Sequence, residues 1–319
     1  MEIDKLEAVE LGGVRQWIRV RGADASNPAL LLMQLGPGLP IINEARRLEH
    51  LLGLEEAFTV VYWDQRGTGL SLRGRSNRVD ISSDRIVADA VSLLEVLRDR
   101  FGGRTFVTGF SFGATFAAQA AVQRPDLVAT LVAVGMDIDI PLAEVKAYDF
   151  ALSTARECPS RRAVRQLEAI GPPPHLNVKE FSTRARWVAN FGGVTTEGNY
   201  NSLVRALLVS LVRSPDYSLA DAMRSVRGIT TTTAALLPGL AATDLVRTIP
   251  RLDVPLVIAQ GRLDQVAPGE AAQQFHDSLV APSKQLVWFE RSAHTPHLEE
   301  PDKFRDLLMT VRATAVADA

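Results

Sequence analysis

Gly109-Phe110-Ser111-Phe112-Gly113 sets a serine between two glycines at a spacing suited to nucleophilic chemistry. The bare G-x-S-x-G pattern arises by chance in a chain of this size about one time in ten. Its surroundings make it more specific. An apolar run, Thr105 to Phe110, leads into it, and a small-residue stretch, Ala114-Thr115-Phe116-Ala117-Ala118, leads out. Strand, sharp turn and helix in that order raise a serine hydroxyl above the edge of a sheet. Glycines on either side let the turn close, and the helix N-terminus beneath favours developing negative charge.

A serine hydroxyl is a poor nucleophile until a base takes its proton. Five histidines are available: His50, His175, His276, His294 and His297. Enzymes built on such a turn run in chain order serine, acid, histidine, which removes His50. His175 follows three prolines, and His276 falls in the body of a predicted helix. His294 sits in a loop between the strand around Val287-Trp288-Phe289 and the last helix, with His297 as the alternative. The acid that orients the base is expected at Asp264, in the loop after the strand Leu256 to Gln260. Asp137 and Asp139, after the run Leu131 to Met136, compete for the same task.

The elements around these residues alternate. Gln16 to Arg21, Ala29 to Leu35, Thr59 to Trp63, Thr105 to Phe110 and Leu127 to Met136 read as strands. Helical spacing appears in Ile41 to Leu54, in Gly113 to Gln123 and after a Ser82 or Ser83 cap. That rhythm predicts parallel βαβ units with helices on both faces of a sheet. From about Pro141 to Leu245 the stretches are mostly helical. Strands and helices then resume at Pro255 to Gln260, Glu270 to Leu279, Gln285 to Phe289 and from Pro301. The expected organisation is an α/β core over 1–140 and 246–319, interrupted by a helical cap over 141–245.

The 319 residues carry 35 basic and 37 acidic side chains, a formal net charge of −2. No basic field is present to hold a nucleic acid. The lone Cys158 excludes an internal disulfide and a cysteine-rich zinc site. No stretch approaches the roughly 18 apolar residues of a membrane span, and the N-terminus has no signal-peptide pattern. A cytoplasmic location is expected.

The motifs together resemble the α/β-hydrolase fold, and within it the proline iminopeptidase-like group. Tyr62-Trp63-Asp64-Gln65-Arg66-Gly67-Thr68-Gly69-Leu70-Ser71 resembles that group's Asp-Gln-Arg-Gly segment. The Ser111 turn, Gly261-Arg262-Leu263-Asp264 and His294-Thr295-Pro296-His297-Leu298-Glu299-Glu300-Pro301 match as well. The resemblance implies an eight-stranded, mostly parallel sheet with an inserted helical cap. It also implies Ser111, His294 and Asp264 as catalytic residues, and no metal or organic cofactor.

Two departures bear on function. Where the family has His-Gly-Gly-Pro-Gly, this chain has Gln34-Leu35-Gly36-Pro37-Gly38. By analogy the backbone N–H groups of Gly36 and Phe112 form the oxyanion hole. Gln34 would replace the histidine's hydrogen bonds, and Leu35 adds bulk beside the acyl site. The family's Trp-Glu pairing in the cap is absent, since Trp187 is followed by Val188. Gln34, Leu35 and Trp187 are the expected pocket residues, and Arg66 is expected to pair with a structural carboxylate. The expected activity is hydrolysis of a carboxylic ester or lactone with an apolar acyl or ring portion. A proline iminopeptidase-type aminopeptidase and a non-hydrolytic rearrangement or cyclisation are the alternatives. The expected partner is a small apolar molecule, not a nucleic acid or membrane; the oligomeric state stays open.

Overall fold

Apolar runs buried on two sides build the centre of the molecule. The computed structural model describes residues 1–73, 80–158 and 160–317. Its eight strands are β1 (Ile3–Leu11), β2 (Val14–Gly22), β3 (Ala29–Met33), β4 (Thr59–Asp64), β5 (Thr105–Phe110), β6 (Val128–Val134), β7 (Leu256–Gly261) and β8 (Lys284–Phe289). They form one sheet in the order β1-β2-β4-β3-β5-β6-β7-β8. Only the β1–β2 and β2–β4 pairings are antiparallel. The strands from β4 to β8 run parallel, as the alternation of strands and helices predicts.

The helices are α1 (Ala45–Leu52), α2 (Ser83–Phe101), α3 (Phe112–Gln123), α4 (Ile140–Glu157), α5 (Arg161–Ile170), α6 (Val178–Asn190), α7 (Tyr200–Arg213), α8 (Leu219–Leu240), α9 (Leu245–Thr248), α10 (Gly269–Ser278), α11 (Pro296–Glu299) and α12 (Pro301–Ala317). Neighbouring residues of each central strand face opposite sides. Leu31, Val61, Val107, Ala133 and Ile258 pack with Leu93 and Leu97 of α2, Ala117 of α3 and Phe275 of α10. Leu30, Val60, Phe106, Val132 and Val257 pack on the other side with Leu48 of α1 and Phe304 and Leu308 of α12.

Between β6 and β7 the described residues form helices and no named strand. Ala147, Ala151 and Ala155 of α4, Ala163 and Leu167 of α5, and Val188 of α6 make a separate small core. α8 is fastened to the sheet's loops: Thr232 Oγ1 donates to Gly67 O at 2.7 Å and Thr233 Oγ1 to Pro37 O at 3.1 Å. No helix among the described residues is long and apolar enough to cross a membrane.

β1 is the strand that the sequence pattern did not reveal. It lies at the sheet edge, paired with β2 alone, and Asp4, Lys5 and Glu10 are exposed along it. Charged side chains on an edge strand block further pairing, and they dilute the alternation that marks a strand.

Candidate active site

Ser111 is forced into its place by the chain on either side. It is the sole described non-glycine residue with positive φ, at φ 52° and ψ −125°, between the end of β5 and the first turn of α3. Such backbone costs about 1–3 kcal/mol and persists only where the surroundings dictate it. They do so here by close approach. A Cβ at Gly109 would lie 2.4 Å from Ala114 Cα, and one at Gly113 would lie 2.3 Å from Gln34 O. Ser111 N donates to Val134 O at 2.8 Å, tying the turn to β6.

His294 and Asp264 come together from two loops. Asp264 Oδ2 lies 2.8 Å from His294 Nδ1. Asp264 Oδ1 accepts from the N–H groups of Val266 at 2.7 Å and Ala267 at 2.9 Å, while Gln260 Nε2 donates to Oδ2 at 3.3 Å. The histidine loop is held from behind. Ala293 N donates to Glu299 at 3.0 Å, Ser292 Oγ donates to Glu300 at 2.7 Å, and His294 N reaches Val194 O in the cap at 3.0 Å. Burial pulls the His294 pKa down, but the charge and hydrogen bond of Asp264, with the charge of Asp137, outweigh it and raise it above 6.5.

Of the three competing carboxylates, each has a different place. Asp264 faces His294. Asp139 caps α4, accepting from Leu142 N at 3.0 Å. Asp137 stands at the serine: Ser111 Oγ donates to Asp137 Oδ2 at 2.7 Å. Asp137 is only 3 % exposed. Burial raises its pKa to about 6, against the lowering effects of His294 and the Ser111 hydroxyl. Thr115 Oγ1 donates to Asp137 O at 2.7 Å and fixes the loop against α3.

His297, the alternative base, is a core residue. Its ring lies against Phe110 and Phe304. Burial, with the nearby charge of His294, lowers its pKa to about 3. His276 pairs with Asp277, and His175 lies in the cap.

Ser111, Asp137 and His294 line one cavity of about 400 Å³ between the sheet and the cap. Gly36 and Phe112 line it too, and the N–H groups of both have no protein acceptor among the described residues. They are free to receive a developing oxyanion. Leu35 is a wall residue. Two expected pocket residues are not. Gln34 is buried behind the loop, where its Oε1 accepts from Thr68 Oγ1 at 3.2 Å. Trp187 turns into the cap, donating from Nε1 to Gln166 Oε1 at 3.0 Å and stacking on Phe191. An aromatic ring on an amphipathic helix fits a small core as well as a cavity, and here the core took it.

The Asp64-Gln65-Arg66 segment organises loops. Asp64 accepts from the N–H groups of Ile41, Ile42 and Leu70 and from the Tyr217 hydroxyl. Arg66 holds Asp89 with both ends of its fork, at 2.7 and 2.8 Å. The cap adds what the sequence pattern did not disclose. Glu144, His175 and Arg184 line the same cavity, with Arg184 Nη1 2.6 Å from Glu144 Oε1 and 3.2 Å from His175 Nδ1.

The sheet order, the strained serine turn and the inserted helices are those of a hydrolase of the α/β-hydrolase fold. The sequence profile of the serine aminopeptidase S33 family matches residues 52–302, and the chain belongs to that family. It is 28 % identical over 304 residues to a probable aminopeptidase, YbaC, of Bacillus subtilis, covering 95 % of this chain and 94 % of that one. The proline iminopeptidase of Mycobacterium smegmatis superposes with a TM-score of 0.70 at 20 % identity, covering 99 % and 100 % of the two chains. An esterase of Exiguobacterium antarcticum superposes at 0.63 with 17 % identity, covering 96 % and 98 %.

Proposed function

We propose that the protein hydrolyses an acyl bond next to a free amino group, with Ser111 as nucleophile, His294 as base and Asp264 as the acid that orients it. The carrying observation is Asp137, a buried carboxylate 2.7 Å from Ser111 Oγ on the cavity wall. An ammonium taken out of water needs a charged partner. In an α-amino acyl substrate the nitrogen is two bonds from the carbonyl carbon. A carboxylate touching the nucleophile is therefore within reach of it.

Asp137 has one hydroxyl donor before substrate arrives. An incoming ammonium replaces that donor and frees the Ser111 proton for His294. Ser111 Oγ then attacks the carbonyl carbon, and His294 takes the proton. The N–H groups of Gly36 and Phe112 hold the oxyanion, and His294 protonates the departing group. Water, activated by the same histidine, releases the acyl group from Ser111.

A second reading has its own support. Leu35, Ile140, Val188 and Leu237 give the cavity broad apolar walls, which suit an uncharged ester or lactone. One substrate series separates the two: a leucyl arylamide, its N-acetyl form and an uncharged acyl ester of similar size, with Ser111→Ala as the blank. A charge-assisted contact at Asp137 predicts a kcat/KM about ten- to hundredfold higher for the free amine than for the N-acetyl form. Equal rates for those two, with rapid ester turnover, favour the second reading. Turnover retained by Ser111→Ala overturns both.

A further inference from the structure

Arg184 is a buried cation with three of its five N–H donors unused among the described residues. The residue is 7 % exposed and lines the cavity from α6. Both of its polar contacts, to Glu144 Oε1 and His175 Nδ1, are made through Nη1. Its guanidinium carbon lies 5.5 Å from the Phe181 ring centre. Among the described residues Nη2 and Nε have no hydrogen-bond partner. Glu144 is itself engaged on its other oxygen, which accepts from His175 N at 3.2 Å. An arginine serving only to join α4 to α6 would have its planar fork matched by a carboxylate. This one keeps three N–H donors, on Nη2 and Nε, without an acceptor among the described residues, and it lines the cavity that Ser111 also lines. Arg184 is close enough to Asp137 for its charge to draw that carboxyl's pKa down. The cavity therefore carries a carboxylate at the nucleophile and, from the cap helices, the Glu144–Arg184 ion pair, whose arginine keeps unused donors.

We infer that Arg184 is a specificity-determining residue that binds a carboxylate on the substrate, and that the preferred substrates are dipeptides with both termini free. The carboxylate site stands on Arg184 alone, whereas the dipeptide class rests on the amino-group reading above. Asp137 takes the α-ammonium, the scissile carbonyl lies over Ser111, and the terminal carboxylate of the second residue meets Nη2 and Nε of Arg184. A cavity of about 400 Å³ holds a molecule of that size. A longer peptide would place an uncharged amide at Arg184 and its remainder against the cap.

The test is calorimetric binding to the Ser111→Ala protein, which needs no turnover. Leucyl-glycine, leucyl-glycinamide and N-acetyl-leucyl-glycine are titrated in turn. The free acid is expected to bind about ten- to hundredfold more tightly than the amide. Adding Arg184→Gln brings the two within about threefold, and Arg184→Lys, which keeps the charge without the fork, retains part of the difference. Acid and amide of equal affinity, no binding of the acid, or a ratio that survives in a folded Arg184→Gln protein overturns the inference. If Arg184→Gln does not fold, the acid-to-amide ratios of Ser111→Ala alone and with Arg184→Lys decide. N-acetylation reports on Asp137 separately. If it leaves affinity unchanged while acid and amide still differ, the amino-group reading fails and the Arg184 site stands.

Discussion

Replacing Asp264 by asparagine keeps the shape of the site and changes one proton. Oδ1 of Asp264 accepts two backbone N–H groups, from Val266 and Ala267. An asparagine must therefore turn its carbonyl oxygen toward them, because its NH2 would meet two donors. The NH2 is then aimed at His294 Nδ1, where Oδ2 lies 2.8 Å away in the native protein. A donor at that position selects the histidine tautomer whose proton is on Nε2. That nitrogen can no longer accept the Ser111 proton. Loss of the correct tautomer is worth on the order of 10⁴ in turnover, or about 5.5 kcal/mol of barrier. The assay is kcat/KM on an uncharged acyl ester, chosen so that substrate binding at Asp137 does not contribute. Asp137→Asn is measured beside it and should lose far less. A loss below about tenfold for Asp264→Asn, or a larger loss for Asp137→Asn, would refute the assignment of the acid.

Two further outcomes follow from buried titrating groups. His294 must be neutral to accept a proton and its pKa is raised above 6.5, so ester turnover falls as pH drops through that raised value. Asp137 contributes to the rise, so Asp137→Asn should move the acidic limb of the kcat/KM profile to lower pH; an unmoved limb would show that the two groups do not interact. His297 has a folded pKa near 3, below its unfolded value of about 6.5. Its contribution to stability is complete above pH 6.5 and is lost progressively as pH falls from there toward 3. His297→Leu should flatten that part of a urea-midpoint against pH curve, and an unchanged slope would contradict the burial of a neutral imidazole.

The readable parts of the chain were those where one pattern has one structural solution. β3, β4, β5 and β7 are continuous apolar runs because both their faces are covered, and the serine turn declares itself through Gly109 and Gly113. The Asp-Gln-Arg segment pairs Arg66 with Asp89 as a structural ion pair, as expected. Other positions carried the same residue type into different uses. Asp137, Asp139 and Asp264 all follow strands, yet one meets the serine, one caps a helix and one meets the histidine. Only the relative placement of β6, β7 and the His294 loop separates them. Trp187 and Phe181 share a helix, but Phe181 lines the cavity and Trp187 fills the cap core. Arg184 is one of several arginines on cap helices, and nothing local marks it as the one turned inward. β1 was hidden because an edge strand with charged residues lacks the alternation of a half-buried one.

Ser111 as the nucleophile can be checked in one step, by treating the pure protein with a fluorophosphonate and locating the adduct by peptide mass analysis. A serine activated by His294 is expected to take up one equivalent, all of it on Ser111, and His294→Ala should abolish the labelling. A protein that remains unlabelled, or an adduct on any other residue, would contradict the assignment of this cavity as the site of acyl transfer.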